Sequence, residues 1–121
     1  MSTSKRILIV EDEALISLDI QTTLEDLGHQ TVAASSNAAA AAALAAGSFD
    51  LAILDYNVLD GQTDSLASLL QHSRTPFLVC SGTAGISELS EGFQNTTFLA
   101  KPFTTARLVE VVSAIPVRPE Q

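Results

Sequence analysis

The chain has 121 residues, 46% of them hydrophobic and 17% charged, which suits one domain with its own core and excludes a disordered chain. Fourteen acidic residues against six basic ones give a formal net charge of -8, and this argues against nonspecific nucleic-acid binding, which needs clustered Lys and Arg. No apolar run is long enough to span a membrane, MSTSKR leads straight into a strand instead of a signal-peptide core, and the single cysteine, Cys80, excludes an internal disulfide; the expectation is a cytoplasmic protein.

The run RILIV (6–10) reads as a parallel strand buried on both faces. In EDEALISLDIQTTLEDLG (11–28), Ile16, Ile20, Leu24 and Leu27 recur at helical spacing, and Gly28 supplies the stop. HQTVAAS gives a weaker second strand. NAAAAAALAAG (37–47) reads as a helix, because alanine has the highest helix propensity; Asn37 is its expected cap and Gly47 its end. FDLAILD is the third strand, DSLASLLQHS a helix, and TPFLVCS a fourth strand entered through Pro76. GTAGISELSEGFQN carries three glycines and little periodicity, so the fourth helix is expected to be short or irregular. TTFLAKPF gives a fifth strand. TTARLVEVVSAI gives a last helix, capped by Thr104 or Thr105, with Leu108, Val111 and Val112 inward. The tail PVRPEQ is too short for another domain, so residues 1–121 are expected to form a single domain without an output domain.

Repeated strand–helix units imply a parallel sheet with helices on both faces and right-handed crossovers. Five strands suit a flavodoxin-like, doubly wound α/β fold of order 2-1-3-4-5. In such a sheet all carboxyl ends lie on one edge, and ligands bind there. Here the strong strands end in Glu11-Asp12-Glu13, Asp55, Ser81 and Lys101-Pro102. Crowded carboxylates raise one another's pKa unless a cation intervenes. One or two carboxylates completed by water suit Mg²⁺, an ion that usually serves phosphate chemistry. A lysine and a hydroxyl would complete a phosphoryl site, and an aspartate beside the metal could be the nucleophile.

The motifs ILIVEDE, AILDYN, LVCSG and FLAKPF, in that order, resemble the receiver domain of two-component response regulators over essentially the whole chain. The resemblance implies that Asp55 is the phosphoacceptor. It implies a cation site for Mg²⁺, or Mn²⁺ in its place, in which Asp12 is a direct ligand and Glu11 acts mainly through water. Asp55 and the backbone carbonyl of Asn57 complete that site. Ser81 takes the place of the threonine or serine that senses the phosphoryl group, Lys101 is the family lysine, and the Lys101–Pro102 bond is typically cis. Phe98 occupies a switch position usually held by tyrosine or phenylalanine. Asn57 and Thr83 stand where the family tunes loss of the phosphoryl group, and neither is acidic. PFLVCSG also resembles a stand-alone subgroup with a Pro-Phe-x-Phe-Ala-Thr-Gly signature, although Cys80 and Ser81 replace its alanine and threonine. The run from Asp55 to Gly61 departs from the common pattern: it is short and lacks a proline.

The implied function is a phosphoryl-accepting signalling switch, not an enzyme acting on a separate substrate. Its partners would be a sensor histidine kinase or phosphotransfer protein and a further downstream protein, with no nucleic acid or membrane, and the chain a monomer or weak dimer. Two alternatives stand beside it: a phosphohydrolase with an aspartyl-phosphate intermediate, and a non-phosphorylated pseudo-receiver serving as a binding module. Each site residue also has a plainer reading. Asp55 could be a solvated strand end, Glu11 and Asp12 helix-capping acids, Lys101 a surface charge, Ser81 a turn hydroxyl, and Phe98 a half-buried strand aromatic. Glu13 is read as a helix-capping acid, Cys80 as a small core hydrophobe, and His29 and His72 as residues without a role.

Overall fold

The structure, a computed structural model, describes residues 4–82 and 96–115. Thr83 and the stretch expected to hold an irregular fourth helix lie outside the described residues. Among the described residues eleven elements follow in chain order: β1 (Arg6–Val10), α1 (Ala14–Asp26), β2 (Gln30–Ala34), α2 (Asn37–Ala46), β3 (Leu51–Asp55), β4 (Asn57–Val58), β5 (Gly61–Gln62), α3 (Asp64–His72), β6 (Phe77–Ser81), β7 (Thr97–Ala100) and α4 (Thr105–Ala114). The main sheet has the order β2-β1-β3-β6-β7 with every pairing parallel. That is the 2-1-3-4-5 order expected for five strands. None of the described helices is long and apolar enough to cross a membrane.

Strand alternation divides the core into two layers. Ile7, Ile9, Leu51, Ile53, Leu78 and Leu99 face one side, where Ile20 and Leu24 of α1 and Leu108, Val111 and Val112 of α4 cover them. Leu8, Val10, Ala52, Leu54 and Val79 face the other, where Ala40 of α2 and Leu66, Ala67 and Leu70 of α3 pack. Fully buried strands explain why β1 and β3 read as continuous apolar runs instead of alternating ones.

Several helix ends differ from expectation. Leu27 is 49% exposed, because it is the residue that ends α1, and Gly28 just beyond it takes φ +94. The α2 cap is Ser36, not Asn37: the Ser36 hydroxyl accepts from the Ala39 N–H at 3.1 Å, while Asn37 is already the first helical residue. Gly47 ends α2 in extended backbone; its value there is size, since a Cβ would lie 3.1 Å from the Arg6 guanidinium. Glu13 occupies the α1 cap position, but its side chain makes no capping hydrogen bond. Thr104 is the cap of α4, accepting from the Arg107 N–H at 3.0 Å. His29 has a structural part after all: its Nδ1 accepts from the Lys5 N–H at 3.0 Å, and burial together with Lys5 lowers its pKa.

The proline-free run after Asp55 is a small antiparallel hairpin. Asn57 pairs with Gln62 and Val58 with Gly61, leaving Leu59 and Asp60 at the turn. Gly61 takes φ +121, a conformation L-residues rarely adopt.

Candidate functional site

Three backbone hydrogen bonds carry the sheet one residue past its strands. Glu11 N–H donates to Ala34 O at 3.0 Å, Tyr56 N–H to Cys80 O at 2.9 Å, and Lys101 N–H to Ser81 O at 3.0 Å. The ladder therefore fixes the backbone at the carboxyl edge, where the polar residues begin. In alternation, Glu11 follows Ile7 and Ile9, Asp55 follows Leu51 and Ile53, and Lys101 follows Leu99. All three belong to the α1/α4 face of the sheet and converge there.

Lys101 Nζ lies 2.7 Å from Glu11 Oε1 and 3.1 Å from Asp55 Oδ2. The Glu11, Asp55 and Lys101 side chains are 3%, 12% and 19% exposed, so these ion pairs are largely shielded from water. Glu11 also accepts from the Glu13 N–H through Oε2 at 3.1 Å, which fixes both of its oxygens. Burial opposes the charge on Lys101, but the hydrogen bonds it donates to Glu11 and Asp55, with the charges of those carboxylates, outweigh it and hold the ammonium above its usual pKa. Asp12 completes the acid group: Glu11, Asp12 and Asp55 each offer an oxygen, all within 4.8 Å of one another. Three carboxylates against one ammonium leave an excess of negative charge and hard oxygen donors, the donor set that suits Mg²⁺.

The cis Lys101–Pro102 bond is present. Beside it a cleft of about 550 Å³ opens between α1 and the Pro102–Phe103 segment, with Leu15, Ile16 and Lys101 in its walls. Ser81 is buried, and strand alternation puts it in line with Val79, whose layer Phe98 also joins. Phe98 is half-buried and packs against that second layer. Asn57 is exposed on the hairpin. Cys80 is 2% exposed between these groups; burial, helped by Asp55 and Glu11 and opposed by Lys101, pushes its thiol up to about 12. It is a core residue, as its neighbours in sequence suggest.

Two residues that sequence reasoning passed over shape the site. Thr63, fully buried, donates through Oγ1 to Asp55 O at 2.9 Å, and its N–H donates to Tyr56 O at 3.1 Å. Asp60 accepts from the Asn37 N–H at 2.7 Å and the Ala38 N–H at 3.2 Å. A hydroxyl or carboxylate a few residues past Asp55 is the signal that was there to find, yet both also read as ordinary turn residues.

A doubly wound parallel sheet with clustered acids and a lysine at its carboxyl edge defines the class: an α/β fold with its site at the strand ends. The response regulator receiver domain profile matches residues 7–113, and the chain belongs to that family. Members are phosphoacceptor signalling domains that typically bind Mg²⁺ in an acidic pocket, so the chain is a receiver of the two-component type. It is 32% identical to SdrG from Sphingomonas melonis, whose solution structure it matches with a TM-score of 0.80 over 95% of this chain and 98% of that one. The non-phosphorylated HemR receiver domain from Leptospira biflexa matches with a TM-score of 0.84, 27% identity, and 96% and 98% coverage of the two chains. The phyllosphere-induced regulator PhyR of Methylorubrum extorquens is 29% identical over 111 residues; these make up 88% of this chain but only 42% of PhyR.

Proposed function

We propose that the chain accepts a phosphoryl group on Asp55 from a phosphohistidine of a sensor kinase or phosphotransfer protein and, so modified, changes a protein-binding surface. The observation that carries this reading is the lysine bridge: Lys101 Nζ touches Asp55 and Glu11 at once, at the edge where Asp12 completes an acid cluster. An Asp55 oxygen attacks phosphorus in line. The phosphorus–nitrogen bond breaks, and the imidazole leaves with the electron pair as a neutral ring, because its other nitrogen already carries a proton in the donor. The product is an acyl phosphate on Asp55. Lys101, already paired with that carboxylate, is in reach of an oxygen of the arriving group and offsets its charge. Ser81 supplies a hydroxyl to another oxygen, and its movement is passed to Phe98 on the same face of the sheet.

Asp12, Asp55, the Asn57 carbonyl and, through water, Glu11 would hold Mg²⁺, which when bound neutralises phosphoryl charge. Asn57 and Thr83 carry no carboxylate to activate water, so the acyl phosphate is expected to outlast several seconds. Leu15 on α1, 80% exposed, lines the cleft beside Lys101, and Leu18 on the same helix is 57% exposed; this apolar surface favours a protein donor over a small one. The readout is binding to a partner, or competition for phosphoryl groups in a relay.

A phosphohydrolase would need an acid two residues past the nucleophile; that residue is Asn57. Intact mass after incubation with Mg²⁺ and a small phosphodonor tests the proposal. Wild type should gain one phosphoryl group and Asp55→Ala none. Labelling that persists in Asp55→Ala would overturn the assignment, and loss of Mg²⁺ binding in Asp12→Ala would argue against a pseudo-receiver.

A further inference from the structure

The short run after Asp55 is tied to a helix it does not lead into. Both carboxylate oxygens of Asp60, at the hairpin turn, accept backbone N–H groups: Oδ1 from Asn37 at 2.7 Å and Oδ2 from Ala38 at 3.2 Å. These are the first two amides of α2, and they have no partner within their own helix. Ser36 takes the third, from Ala39. A carboxylate at a helix N-terminus is also favoured by the helix dipole. The tie is doubled by the Asn37 side chain, whose Nδ2 donates to Gln62 O at 3.1 Å. Gln62 pairs with Asn57 across the hairpin.

The consequence concerns Asn57. A two-stranded hairpin in water is marginally stable by itself, and this one has no proline to stiffen it. Thr63 anchors its far end to Asp55 and Tyr56, but Asn57 itself is exposed. Mg²⁺ demands near-ideal octahedral geometry, so a ligand carbonyl on a wandering loop binds it poorly. We propose that Asp60 is a positioning residue: by clamping the hairpin to the start of α2 it holds the Asn57 carbonyl where the cation needs it, and so sets Mg²⁺ affinity from five residues beyond Asp55. This rests on the proposed function, in which Asn57 supplies a ligand carbonyl.

The test compares wild type with Asp60→Ala, Asp60→Asn and Ser36→Ala. Hydrogen exchange of the Asn57–Gln62 amides is measured without metal. Mg²⁺ is then titrated, followed through the fluorescence of Tyr56, the chain's single tyrosine and the neighbour of Asp55. Asp60→Ala should speed hairpin exchange and weaken Mg²⁺ binding by about fivefold or more. Asp60→Asn, which keeps one acceptor, should fall between. Ser36→Ala removes an α2 cap bond without touching the hairpin, and should leave Mg²⁺ binding as in wild type. At saturating Mg²⁺, Asp60→Ala should still take up one phosphoryl group. Unchanged exchange in Asp60→Ala, unchanged Mg²⁺ affinity, or an equal loss in Ser36→Ala would each overturn the inference while leaving the Asp55 site standing. A wild type that binds no Mg²⁺ would overturn the reading of the site and this inference with it.

Discussion

Replacing Lys101 by Met removes the ammonium and keeps most of the side-chain volume. Glu11 and Asp55, 3% and 12% exposed, then face each other without their cation. Hydrogen bonds to charged groups contribute about 1.5–3 kcal/mol each, and removing one partner of a buried ion pair costs about 3–5 kcal/mol because the other charge stays buried. Lys101 is partly exposed, so water softens the loss; we expect about 3 kcal/mol, or a fall in Tm of roughly 10 °C. The pH dependence follows from the raised pKa of Lys101. A folded-state pKa above the unfolded value gives stability that is fully present below the unfolded pKa, about 10.4. That stability is lost as pH rises through the higher folded pKa. The gap between wild type and Lys101→Met should thus stay constant across neutral and mildly alkaline pH and narrow above about 10.4. Excess Mg²⁺ should also narrow it, by supplying the missing positive charge. Urea unfolding followed by far-UV circular dichroism measures both. A loss under about 1 kcal/mol, the range of exposed ion pairs, would refute the view that Lys101 compensates the acids.

Other expectations are more local. Thr63→Val keeps the shape but leaves the Asp55 carbonyl short of a donor; it should cost about 1–2 kcal/mol in urea unfolding, and no measurable loss would sink that hydrogen bond's role. Cys80 should resist a thiol reagent in the native protein at neutral pH and react once unfolded, because its thiol is buried and pushed up to about 12; stoichiometric native labelling within minutes would contradict this. Hydrogen bonds from the Asn37 and Ala38 amides lower the Asp60 pKa. Its contribution should be present above the unfolded carboxyl value and vanish as pH falls through the lower folded value, so the difference between wild type and Asp60→Asn should disappear in acid. A difference that grows on acidification would reverse that sign.

Continuous apolar runs made the sheet legible from the amino-acid order. A strand buried on both faces must be apolar along its buried length, and β1, β3 and β6 are, apart from Arg6 at the start of β1 and the polar ends Asp55 and Ser81. The polar residue that ends each run marks the same sheet edge, so Glu11, Asp12, Asp55 and Lys101 could be brought together on paper. Their contact depends only on strand order and alternation. Helix ends were less legible, because capping is decided by the backbone conformation of one residue. Ser36 and Asn37 are both good caps, and only the backbone at Ser36, extended at φ -151 and ψ 165, separates them. Thr63 and Asp60 were illegible for another reason. Their partners, the Asp55 carbonyl and the α2 amides, are backbone groups that carry no residue signature.

Asp55 as the phosphoacceptor is the central claim, and the measurement that addresses it most directly is chemical location of the modified residue. The protein is incubated with Mg²⁺ and a small phosphodonor, then reduced with borohydride, which converts an aspartyl phosphate to homoserine. Peptide mass spectrometry should find homoserine at position 55 and at no other aspartate. Aspartate intact at position 55 with homoserine elsewhere, or no reduction product in a protein whose mass shows the phosphoryl group, would contradict it.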